Sequence, residues 1–124
     1  QDIKSLNLGT VYESVVAQEL AAHGFKLHYF DNKKKGEVDF LLDDYENLTV
    51  LPLEIKSGRD YTTHSALTNF LETPDYGVQR AIVFSNERKI FKKKGVTYLP
   101  IYYCMFLHSE QRDGNVILPE LELV

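Results

Sequence analysis

The sequence has no tryptophan, one methionine, one cysteine and only four prolines among 124 residues. The lone cysteine, Cys104, excludes an internal disulfide, so stability must come from burial and hydrogen bonding, and a reducing, cytoplasmic setting is expected. No apolar run approaches the roughly 20 residues of a membrane helix, so no membrane partner is expected. No G-x-x-x-x-G-K-[ST] loop is present, which excludes ATP binding through that device in this stretch. Neither G-x-S-x-G nor H-E-x-x-H occurs, and His23, His28 and His108 do not group with the cysteine at zinc spacing. The net charge is −4. Bulk attraction to nucleic acid is therefore excluded, and any such contact has to be local.

What is present reads as one soluble domain: 44% hydrophobic and 26% charged, with eight tyrosines and seven phenylalanines. Two basic clusters stand out, Lys33, Lys34 and Lys35, and Lys89, Lys92, Lys93 and Lys94 in "KIFKKKG". The opening "QDIKSLNLGTVYE" has no initiator methionine and reads as the continuation of a longer chain.

Periodicity organises the rest. Val11, Val15, Val16, Leu20 and Ala21 form a helical stripe, with Asn7 as the expected N-cap and Gly24 as the stop, giving a helix over 8–23. "KLHYF" (26–30) is a short strand. Residues 37–43 and 48–57 alternate and are joined by "DYEN", which predicts a hairpin. Val38, Phe40 and Leu42 share one expected face with Leu51, Leu53 and Ile55 opposite them. "SALTNFLET" predicts a short helix capped by Ser65 and ended by Pro74. "RAIVFS" (80–85) is a compact apolar strand suited to a sheet covered on both sides. "NERKIFKKKG" is a charged connection with a short ribbon, and "VTYLPIYYCMFL" holds a further strand. Tyr29, Phe30, Phe40 and Phe70 are expected in the core, Cys104 as a buried small hydrophobe, and Glu37 and Asp43 in solvent. His64 falls near a helix start, where solvation or capping is expected. The order α-β-β-β-α-β-β describes a mixed α/β sheet flanked by helices.

The informative stretch is "EVDFLLDDYENLTVLPLEIKSG", residues 37–58. Paired residues in a hairpin have numbers summing to a constant. Asp39 and Glu54 sum to 93, which centres the turn between Glu46 and Asn47, inside the expected loop. Their side chains then stand opposite each other on one face, with Lys56 two residues beyond on that same face. Opposed carboxylates repel. A hard divalent cation, Mg²⁺ or Mn²⁺, removes that repulsion and commonly uses one or two carboxylates together with substrate phosphates. A neighbouring lysine can orient a water or counter developing charge in phosphoryl transfer.

These residues resemble the D-(x)n-E-x-K core of the PD-(D/E)xK nuclease superfamily, with Asp39, Glu54 and Lys56 matching position by position. Glu13, in "GTVYESVVAQEL", matches the glutamate that many members carry on the helix before the core strands. Val38 replaces the proline of "PD". The Gln/Tyr motif that some relatives carry on the following helix is absent from "SALTNFLET". From Leu8 to Tyr103 the chain is similar to the nuclease-like C-terminal domain of prokaryotic AAA-type P-loop ATPases. The resemblance implies a restriction-endonuclease-like fold and a metal site of Glu13, Asp39, Glu54 and the Ile55 carbonyl. It further implies Asp39, Glu54 and Lys56 as catalytic residues, DNA as substrate, and an N-terminal ATPase module of the same parent chain as partner. Lys33, Lys34 and Lys35, next to this cluster, are candidates for phosphate contact. The rival reading keeps the fold and drops the chemistry, leaving a catalytically silent docking or oligomerisation module.

Overall fold

Helix α1 spans Leu8–Ala22. It stops where the sequence says it should. Gly24 takes the left-handed conformation (φ 91°), its N–H donates to Ala21 O at 3.1 Å, and the Phe25 N–H donates to Leu20 O at 3.0 Å. Together these form a Schellman C-cap, and Leu20 and Phe25 are buried in the same cluster. The buried face of α1 is Val16 and Leu20, with Tyr12 and Ala17 packed against it. Val11 and Val15 are 45% and 46% exposed, so the expected stripe is corrected. Adjacent Val15 and Val16 lie about 100° apart on a helix, and only the 12–16–20 line meets the sheet.

The computed structural model describes residues 8–32, 36–45, 47–58, 60–110 and 115–117. The expected cap Asn7 and the side chains of Phe30 and Glu37 lie outside what is described. Strands β1 (His28–Asn32), β2 (Gly36–Asp44), β3 (Thr49–Lys56), β4 (Ala81–Ser85), β5 (Phe91–Lys93) and β6 (Val96–Pro100) form one sheet. Its order is β1-β2-β3-β4-β6-β5. The β1–β2, β2–β3 and β5–β6 pairs are antiparallel, whereas β3–β4 and β4–β6 are parallel. Helix α2 (Ser65–Glu72) lies on the crossover between β3 and β4. Pro100 ends β6, and the chain turns into a 3₁₀ segment, Ile101–Phe106, followed by a small ribbon of β7 (His108–Glu110) and β8 (Asn115–Ile117). The fold is a mixed α/β sheet flanked by helices, and among the described residues no helix is long and apolar enough to cross a membrane.

Both faces of the sheet are covered. Ile82 and Phe84 join the α1-side cluster, while Ala81 and Val83 join the α2-side cluster with Ala66, Leu67 and Phe70. All five residues of β4 are buried, as expected of a doubly covered strand. Glu54, between Leu53 and Ile55 on the α1 side, consequently faces α2.

Three expectations are corrected. Tyr29 is 74% exposed: β1 is an edge strand, and its ring meets only the edge of Phe40, with centroids 5.6 Å apart. Ser65 is the first residue of α2 rather than its cap; His64 holds the N-cap position without a side-chain capping bond. Val38 belongs to the α2-side cluster with Leu41, not with Phe40 and Leu42. The cause is a bulge. His28 pairs with Leu41 but Phe30 pairs with Val38, so β2 spends one residue more than β1 across this interval and its alternation slips.

Candidate functional site

The hairpin register is the one its sequence numbers require. Phe40↔Leu53, Leu41↔Pro52, Leu42↔Leu51, Asp43↔Val50 and Asp44↔Thr49 all sum to 93. The paired ladder reaches Phe40 and Leu53. Beyond it β3 pairs with β4, through Glu54↔Val83 and Lys56↔Ser85. At this opening Asp39, within the bulged interval, turns its side chain onto the facing strand. Asp39 Oδ2 accepts the Ile55 backbone N–H at 2.6 Å, taking the place of a ladder acceptor. Bulges re-aim side chains in this way.

Glu54 is mostly buried. Its Oε1 lies 3.0 Å from Lys56 Nζ, with the glutamate side chain 13% and the lysine 30% exposed. Glu54 Oε2 is buried and has no hydrogen-bond partner. Burial is the chief cause that raises the Glu54 carboxyl above its ordinary value, and the Asp39 charge adds to it; Lys56 and His64 pull the other way without winning. The arrangement is short of positive charge. A proton or a hard cation at Oε2 would supply what Lys56 alone does not.

The structure brings Asp39, Ile55, Glu54 and Lys56 together at the ends of two inner strands. Glu13 is half-buried on α1, the helix covering the other face. Among the described residues no group of three or more His, Cys, Asp or Glu side chains gathers that could hold a metal. Lys33, Lys34 and Lys35 lie outside the described residues. An orphaned buried carboxylate oxygen beside a second carboxylate suits a hard ion that takes oxygen ligands. The donors present therefore fit Mg²⁺ or Mn²⁺ with two carboxylates.

Sequence reasoning missed His64. It lies near enough to Glu54 to act on it electrostatically, and Nε2 lies 2.6 Å from the Tyr98 hydroxyl, 34 residues away. No local pattern announces such a pair, because only the β3–α2–β4–β6 path joins them. Cys104 is 2% exposed and its thiol is pushed up to about 11 by burial and then by Glu19, which fits a packing role.

Two inner strands that part onto an acid–lysine cluster define a mixed α/β domain with a candidate polar site at the ends of β2 and β3. The chain belongs to the family described as Domain of unknown function (DUF4143), whose model matches residues 8–104. That match runs from the first residue of α1 into the 3₁₀ segment and includes every residue of the cluster. No curated protein matches the sequence.

Proposed function

We propose that the domain is a Mg²⁺- or Mn²⁺-dependent phosphodiester hydrolase acting on DNA, of the PD-(D/E)xK type that "EVDF…LEIKSG" resembles. The observation that carries this reading is Glu54 Oε2, buried and unpartnered beside Asp39. Asp39, Glu54 and the Ile55 carbonyl are the groups proposed to hold the ion; Glu13, on the helix over the other face, is left out of the set that the resemblance implied. The bound ion supplies Lewis-acid polarisation and charge neutralisation at the phosphate. The Asp39 hydrogen bond to the Ile55 N–H fixes that carboxylate before any ligand arrives, so little ordering is left to be done on binding. Lys56 orients the hydrolytic water and counters the charge that develops on the scissile phosphate. The DNA itself is gathered by another part of the parent chain, an ATPase module, because a net charge of −4 gives this domain little general attraction for it.

Calorimetric titration with Mg²⁺ and Mn²⁺ tests the site. Saturable binding is expected, and Asp39→Asn or Glu54→Gln should each remove it. Unchanged binding in both variants would overturn the assignment.

One observation favours the rival reading of a docking or oligomerisation module. An apolar groove of about 570 Å³ runs between α1 and the 3₁₀ segment, where Val11, Val15, Tyr102 and Met105 are exposed. That reading expects no metal-dependent cleavage on any DNA, and an association of the domain that Val15→Glu abolishes.

A further inference from the structure

We infer that the domain carries a second ligand site, a pocket for a phosphate monoester between α2 and the β5–β6 hairpin. The pocket encloses about 390 Å³, within the range of small-molecule sites, and Asp39, Glu54 and Lys56 take no part in its lining. The inference is therefore independent of the phosphodiesterase reading.

Lys93 and Lys94, adjacent in sequence, line this pocket together with Thr62. Among the described residues neither lysine is in an ion pair. Two adjacent lysines outside any ion pair give this end of the pocket a surplus of positive charge, which a bound anion would answer. Lys94 is also held in an unusual backbone. Its φ is 52° and that of Gly95 is 84°, and Lys93 pairs with Val96, so the two residues form a tight type I′ hairpin turn. Asn, Asp or Gly is the ordinary choice at the first position of such a turn. Exposed and unpaired, the lysine gains nothing there from packing; a positive charge beside the pocket is what the residue brings to the position.

The opposite wall is fixed. Thr68 donates its hydroxyl hydrogen to the His64 carbonyl at 3.0 Å, so Oγ1 is left to accept from His64 Nδ1–H at 3.4 Å. Nε2 then accepts from the Tyr98 hydroxyl at 2.6 Å. Both ring nitrogens are engaged, and Tyr98 is in turn stacked on Phe91 with centroids 4.4 Å apart. The wall is preorganised and has no spare donor, which leaves anion recognition to the lysines and Thr62.

Glu72 lines the same pocket and likewise has no ion pair among the described residues. A carboxylate repels phosphate but accepts hydrogen bonds from hydroxyls. The ligand that satisfies both ends bears a phosphate toward Lys93 and Lys94 and hydroxyls toward Glu72, with Leu71 and Val96 supplying apolar contact. A dianionic monoester matches two ammonium groups better than a singly charged diester does. The chemistry is that of a nucleotide or a sugar phosphate.

Calorimetry on the metal-free chain, in EDTA, with AMP, ribose 5-phosphate, adenosine and an oligodeoxynucleotide lacking terminal phosphates tests this. AMP binding that adenosine does not reproduce supports the site. If ribose 5-phosphate binds as well as AMP the ligand is a sugar phosphate, and if it binds more weakly the base contributes; either result keeps the pocket. Lys93→Gln and Lys94→Asn should each weaken AMP binding about tenfold or more, and Lys56→Ala should leave it unchanged. Lys94→Asn suits the left-handed turn, so its loss of binding cannot come from unfolding. Absence of saturable binding by both phosphate ligands, or AMP binding indifferent to both lysine variants, would overturn the proposal. Tighter binding of the oligodeoxynucleotide than of AMP would overturn the monoester assignment.

Discussion

Lys56 Nζ lies 3.0 Å from one oxygen of Glu54 and leaves the other buried without a partner. The pair is therefore asymmetric: the lysine answers half of the carboxylate. Burial outweighs the lysine, and the Glu54 carboxyl stands above its ordinary value of 4.5.

A stability prediction follows from the sign of that displacement. A carboxyl raised on folding holds its proton more tightly in the folded state. Its favourable contribution is complete below pH 4.5 and is lost as the pH rises through the higher folded value. Glu54→Gln removes this dependence. In EDTA the variant should be the more stable form above neutrality by about 1 kcal/mol, the scale of an unsatisfied buried group. Urea unfolding of both proteins from pH 4 to pH 8 measures it. Parallel pH curves for the two proteins would refute the assignment of an uncompensated carboxylate.

Asp44 should behave in the opposite sense. It is 1% exposed and is bonded by the Asn47 N–H at 3.2 Å, the Asn47 side chain at 2.9 Å and Arg80 Nε at 3.3 Å. Burial is the largest single influence and raises its carboxyl, but the Asn47 and Arg80 contacts together prevail and hold it below 3.8. Its contribution is present above pH 3.8 and lost as the pH falls through the lower folded value. Asp44→Ala leaves the partly exposed Arg80 without its buried acceptor and the turn unsupported, and should cost about 2 kcal/mol. Thermal unfolding checks this, and a cost under about 0.5 kcal/mol would show that the network is dispensable.

Cys104 should be nearly inert. A thiol displaced from 9.0 to about 11 holds roughly a hundredfold less thiolate near pH 8, and burial adds a barrier to the reagent. Reaction with a chromogenic disulfide should be at least about 10²-fold slower in native protein than in guanidinium chloride. Equal rates would mean that the 3₁₀ segment opens readily.

Some of this was legible in the sequence because it depends on spacing alone. The pairing sum of 93 needs only a tight turn between 44 and 49, and the helix stop at Gly24 needs only a residue tolerant of positive φ. What was hidden depends on pairing between distant segments. The bulge in β2 arises from its register against β1, and it moved Val38 to the other face and Asp39 onto the Ile55 N–H. The burial of Asp44 depends on Arg80, 36 residues away, and the His64–Tyr98 contact on a crossover no local pattern encodes. Composition likewise treats Tyr29 and Phe40 alike, although one sits on an edge strand and the other beneath α1.

Lys56 separates the two function classes most directly. If the domain cleaves phosphodiesters, the ammonium acts mainly on charge that appears in the transition state. Lys56→Ala should then lower Mg²⁺-dependent cleavage by about 10²-fold or more, the scale of losing one electrostatic stabiliser. Metal affinity should stay the same or rise slightly, since Glu54 Oε1 loses a competing cation 3.0 Å away. Lys56→Arg should restore part of the rate, because a planar fork replaces a compact point charge. Cleavage of single-stranded, double-stranded and branched DNA by the domain is the measurement, with metal titrations run in parallel. If the domain is a docking module, no substrate is cut and Lys56→Ala alters only the local electrostatics. Cleavage that persists undiminished in Lys56→Ala would place the reacting groups elsewhere and end the assignment of Asp39, Glu54 and Lys56 as one catalytic unit.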